Sequence, residues 1–187
     1  DRDAFEKELN ELGSLRAKAD AIRTRLAKSI NTKYQENPAY YENFSKRIKE
    51  ALELYKARTI TEAEYLAKMR DILEDYRTGK SAIAYPDRIR ANVHAQAFYG
   101  VLTAIFSNEK LSVEPDFAAE MALDITTIIE KHSQVDWTHN LTIHDRISQD
   151  IDDLFYRYQK ERGLVLSFDV IDMIIENVKT VALRRFA

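Results

Sequence analysis

The stretch DWTHNLTIHDRISQDIDDLFYRYQKERGLVLSFDVIDMIIENVKTVALRRFA, residues 136–187, decides the fold class of this chain. It opens on the only tryptophan, Trp137. Ile143, Ile147, Ile151, Leu154 and Tyr158 then recur at intervals of three or four, the spacing of one buried helix face. Gly163 is placed to end that helix, because glycine accepts the left-handed backbone of a helix C-terminus. After the short apolar link Leu164-Val165-Leu166, Ser167 can cap a second helix. That helix is expected to bury Phe168, Ile171, Ile174, Ile175, Val178 and Val181. Two amphipathic helices hinged at a glycine read as an element that packs on something, not one that reacts.

The same periodicity runs back to the start. Phe5, Leu12, Ala19 and Leu26 recur every seven residues with Leu15 and Ile22 between them, a heptad-like seam. It predicts one long helix from about Arg2 to Glu36, with a weak point at Gly13-Ser14. Asn37-Pro38 closes it and starts the next helix, since Pro38 lacks an amide donor but fits a first helical position. Tyr41, Phe44, Ile48, Leu52 and Tyr55 give that helix its buried stripe. Thr61 and Glu64 form a capping-box pattern ahead of Leu66, Met69, Leu73 and Tyr76. Lys80 to Asp87 reads as a surface loop. A very apolar helix follows from about Arg88 to Ser107, then one opened by Pro115 and carrying Met121, Ile125, Ile128 and Ile129.

The expectation is an all-α protein: a single bundle of about seven helices over 1–187, its first helix long and heptad-like. A subdivision into a three-helix arm, 1–78, and a helical core, 88–187, is compatible with the pattern. Pro38, Tyr41, Phe44, Phe98, Trp137 and Gly163 are the expected structural anchors. Hydrophobic residues make up 45% and charged residues 32%, and four Gly and three Pro are few enough for long helices. The absence of cysteine excludes disulfides and thiolate metal sites and fits a cytoplasmic location. No window approaches ~18 uninterrupted apolar residues, so no membrane span is expected. The chain opens on Asp1 and enters helical periodicity at once, which reads as a segment of a longer polypeptide.

The net charge of −3 gives no global pull toward nucleic acid. A local patch remains: Arg16, Lys18, Arg23, Arg25, Lys28 and Lys33 form a basic run in the first helix, interrupted by Asp20. It can serve as a phosphate-binding stripe or as bundle flanks pairing with acidic neighbours. The register favours the second role, with Arg16 and Arg23 on one flank of the seam and Lys18 and Arg25 on the other. Tyr34, Tyr40, Tyr41 and Phe44 could stack bases, but at helical spacing they suit a core and its rim. Asp150, Asp152 and Asp153 suit a solvated face better than a cation site, which needs oxygens converging from several turns. His139 and His144 flank a connector, where a shared metal would make a hydrolase of the chain. No pair of histidines has the helical zinc spacing, however. No phosphate-binding glycine loop and no nucleophile elbow is present.

The order of motifs carries a resemblance. Asn37-Pro38-Ala39-Tyr40-Tyr41 leads into Phe44-Ser45-Lys46-Arg47-Ile48. Ala97-Phe98-Tyr99 lies mid-chain, and Ile128-Ile129 precedes Val135-Asp136-Trp137 and Asn140. The Ile147–Tyr158 helix, Gly163 and a closing amphipathic helix complete the series. Together these resemble the C-terminal helical domain of the R (motor and endonuclease) subunit of type I restriction-modification enzymes. The resemblance implies a parent polypeptide that is an ATP-dependent, DNA-translocating site-specific deoxyribonuclease. Its nuclease and ATPase domains lie upstream, with ATP and magnesium bound there and no cofactor in this segment. It also implies that this region is non-catalytic and anchors the motor to the methyltransferase (M) and specificity (S) subunits, meeting DNA through the complex. A direct DNA-binding role for the basic run is the alternative.

Overall fold

The computed structural model describes residues 2–134 and 136–187; Asp1 and Val135, the latter part of the motif series above, lie outside the described residues. Among the described residues there are eight α-helices and no strand. The chain divides into two compact units, one of residues 1–34 and 40–84, the other of residues 35–39 and 85–187.

In the first unit, the expected long helix is divided at its weak point into α1 (Arg2–Glu11) and α2 (Leu15–Lys33). Ser14 takes an extended backbone and its side chain accepts from Ala17 N at 3.0 Å, capping α2. The division reverses the chain. The Arg25 guanidinium lies 4.2 Å from the centre of the Phe5 ring, whereas an unbroken helix would hold these residues about 30 Å apart. α1 thus folds back along α2, and this accounts for the eighth helix. Phe5, Leu9, Ala19, Ile22, Leu26 and Ile30 are buried. Leu15, expected in the seam, stands in the first turn after the break and is 44% exposed.

α3 (Pro38–Lys56) starts on Pro38, and α4 (Glu62–Thr78) starts from the expected capping box. Glu64 Oε2 accepts from Thr61 N at 2.7 Å while Thr61 Oγ1 accepts from Glu64 N at 3.2 Å. Tyr40, Phe44 and Tyr76 form an edge-to-face chain of rings, with centroids 5.0 and 5.4 Å apart. Those contacts make the aromatic run a packing feature of this unit.

The second unit is built on α5 (Val93–Asn108), in which Ala95, Ala97, Phe98, Tyr99, Gly100, Val101, Leu102, Ile105 and Phe106 are all buried. A helix apolar nearly all round must be covered on several sides. α6 (Pro115–His132), α8 (Phe168–Arg185) and residues 35–39 supply that cover, and α7 (Leu141–Arg162) packs on α6 and α8. α5 starts later than expected, because Asn92 caps it by accepting from His94 N and Ala95 N, and residues 87–89 form a separate 3-10 turn. Gly163 closes α7 with φ +67°, as expected for that glycine. Phe168, expected to be buried, is 84% exposed, because it is the first residue after the Ser167 cap and precedes the turn that faces the core.

Gly100 permits a close approach between α5 and the 35–39 segment. A Cβ at that position would lie 2.6 Å from the Ala39 Cβ, and neither group is a flexible chain end. Gly100→Ala should therefore destabilise the domain by about 1–3 kcal/mol despite the better helix propensity of alanine. Urea unfolding checks this, and an unchanged or raised midpoint would contradict the packing.

Candidate functional site

The six basic residues of α2 do not form one stripe. Asp20, the single acid among them, takes Arg23 Nε at 3.4 Å and Arg16 Nε at 3.7 Å. It also accepts from the Tyr65 hydroxyl of α4 at 3.3 Å. Burial, and then the Asp20 charge, push the Tyr65 phenol above its ordinary value. On the other flank Arg25 lies over Phe5. Lys28 and Lys33 are exposed, but five residues on a helix place them about 140° apart. Lys18 is half-buried.

The acidic cluster also divides. Asp150 is half-buried and accepts from His132 Nε2 at 2.8 Å and Lys131 Nζ at 2.9 Å, both on α6. Hydrogen bonds from His132 and then Lys131 hold its carboxyl below the usual range. Asp150 therefore ties α7 to α6 and is no part of a solvated face, whereas Asp152 and Asp153 are exposed as expected. Tyr158 adds a second tie, donating to Asp124 at 2.6 Å, and burial followed by that carboxylate pushes its phenol well upward. His139 is exposed, and His144 turns its Nε2 to the Trp137 carbonyl at 3.1 Å. Among the described residues no three histidines or acids are grouped as a metal site.

Trp137 is 3% exposed and sits in a short 3-10 turn, Trp137–His139, ahead of Asn140, which caps α7. Its Nε1 donates to the Phe186 carbonyl at 3.0 Å, so the indole anchors the end of α8. The pairing of Trp137 with Phe186, 49 residues on, left no signal in the sequence.

Of the large apolar residues exposed at the surface, the two most exposed among the described residues lie together in sequence at the α7–α8 link. In the link between α7 and α8, Leu166 is buried and its carbonyl accepts from Gln159 Nε2 at 2.8 Å. This pins the link and turns its neighbours outward: Val165 is 82% and Phe168 84% exposed. Val165 lies between two capped helix ends, Gly163 with its left-handed φ and Ser167 accepting from Val170 N, and Phe168 is the first residue of α8 after that cap. A pinned apolar pair loses little freedom on docking. The helix ends at Gly163 and Ser167 were legible in the sequence, whereas the outward position of Phe168, spaced like a core residue, was not.

Trp137→Phe keeps the ring burial and removes the bond to Phe186. It should cost about 1–2 kcal/mol and speed hydrogen exchange in the last turn of α8. Exchange there at the unchanged rate would contradict the anchoring role.

Over residues 2–182 the chain matches the family described as type I restriction enzyme HindI endonuclease subunit-like, C-terminal. It is similar to the type I restriction enzyme HindI endonuclease subunit of Haemophilus influenzae, at 25% identity over 127 residues. That alignment covers 68% of this chain and 12% of the relative, so the chain spans a small part of the relative's length. No solved structure matches. The family match runs along nearly the whole chain, and the chain belongs to the family of C-terminal domains of HindI-like type I restriction enzyme endonuclease subunits.

Proposed function

We propose that this domain serves assembly: it anchors the endonuclease subunit of a type I restriction enzyme to the core formed by the methyltransferase and specificity subunits. The observation that carries this reading is the pinned pair Val165 and Phe168, exposed at the α7–α8 link in a domain of this family. An exposed aromatic held in a fixed backbone frame has the character of an interface anchor. The match to 12% of the relative agrees with a module whose companion activities lie elsewhere in the whole subunit. Translocation of DNA, its cleavage, and the binding of ATP and magnesium are assigned in this proposal to the upstream domains.

The side chains chosen for the test are exposed, so their replacement leaves the fold intact. The domain should co-elute with the methyltransferase–specificity core, and Val165→Ser with Phe168→Ser should weaken that association by about thirtyfold or more. Failure of the unaltered domain to associate, while the full endonuclease subunit does so, would overturn the anchoring role. Association unaffected by the two substitutions would move it to another surface.

Direct DNA binding through α2 is the weaker reading. Arg16, Arg23 and Arg25 are engaged within the first unit. The first unit has 17 Lys and Arg against 14 Asp and Glu, and the second 11 against 17, so neither offers a strong cationic field. Reversing Lys28 and Lys33 to Glu should leave duplex affinity of the assembled enzyme, and its salt dependence, unchanged. A loss of affinity with a shallower salt slope would restore the DNA reading.

A further inference from the structure

The end of α8 is held by groups from three places in the second unit, and His94 is where they meet. Arg185 Nε donates to His94 Nδ1 at 3.2 Å, and Arg185 Nη1 donates to the Glu36 carbonyl at 3.0 Å. The Phe186 ring lies 4.4 Å from the His94 ring and stacks near-parallel to Phe98 at 6.4 Å. The Phe186 carbonyl takes the Trp137 indole N–H. One turn of helix thus fastens to the start of α5, to the 3-10 turn before α7, and to the 35–39 segment.

This arrangement constrains the protonation of His94. A nitrogen that accepts from an arginine must present a lone pair, so the imidazole is neutral with its proton on Nε2. Arginine stays charged throughout the physiological range. A second proton on His94 would remove the acceptor and set a cation beside the guanidinium. The charged groups facing His94 are Arg185 from α8 and Glu130 from α6, and Glu36 supplies the carbonyl that shares Arg185. Burial first, and the Arg185 charge second, lower the imidazole below its ordinary 6.5, with Glu130 opposing.

We propose that His94 is an acid-operated latch: when its imidazole takes up a proton, the Arg185–Phe186 end of α8 lets go of α5, of Trp137 and of the 35–39 segment. Because the folded value is depressed, the latch's stability is fully present above 6.5 and is lost as pH falls through the lowered value. His144 does not share this behaviour. Its Nε2 faces a carbonyl oxygen, which can only accept, so the ring already donates there and continues to donate when protonated.

Trp137, the only tryptophan, reports the latch directly. In the 187-residue chain, Trp137 emission should shift to the red between about pH 8 and about pH 5, with its midpoint below 6.5 and the far-ultraviolet helix signal unchanged. His94→Asn offers an uncharged acceptor near the Nδ1 position and should hold the emission constant across the range. Arg185→Leu should give the shifted emission at every pH, and His144→Gln should keep the transition. A flat wild-type curve, the same transition in His94→Asn, its loss in His144→Gln, or a shift that coincides with loss of helix would each overturn the proposal.

Discussion

Much of the second unit follows from the need to cover α5. With Phe98 and Leu102 fully buried and most of its Ala95–Phe106 stretch withdrawn from solvent, this helix cannot be stable with its apolar sides open. α6 and α8 close most of it, and the remaining side is met by residues 35–39, which approach so closely that only a glycine fits at position 100. Packing of this density makes the neighbours of α5 depend on one another. The Asp150 and Tyr158 ties place α7 on α6, and Trp137 then fixes the end of α8.

The helical content was legible because it rests on local signals. The capping box at Thr61, Pro38 and Pro115 at helix starts, and Gly163 at a helix end are statements about backbone donors and left-handed dihedrals, and these survive any tertiary context. The failures share one cause. The heptad seam running through Phe5, Leu12 and Leu15 fits one long helix and a folded hairpin equally well over each half, and the decision belongs to the Ser14 cap and to what Phe5 finds to pack on. Phe168 was placed inside because its spacing from Ile171 suits the buried face, whereas its position at the first turn takes it beyond the core. The long-range ties of the second unit, such as Asp150 with His132 and Arg185 with His94, join residues 18 and 91 positions apart. Residue types and spacing carry no trace of such pairs.

α8 joins the two functional proposals. About 25 Å of helix separates Phe168 from Arg185. In the proposed arrangement the link at one end offers Val165 and Phe168 to the partner, and the other end is fastened by side chains from α5 and the Trp137 turn. A rigid helix held at one end positions the other without further contacts, so the anchoring residues and the presenting residues can be physically distant and still serve the same docking event. Arg16, Arg23 and Arg25 of α2 fit this division of labour as internal ties of the first unit, Asp20 collecting the first two and the Phe5 ring the third.

The central claim, that the α7–α8 link is where this domain meets the methyltransferase–specificity core, is tested most directly by hydrogen–deuterium exchange of the domain alone and in the complex. The account predicts slowed exchange across residues 163–173 on complex formation, with α2 unchanged. Slowed exchange over α2 with residues 163–173 unaffected would contradict it.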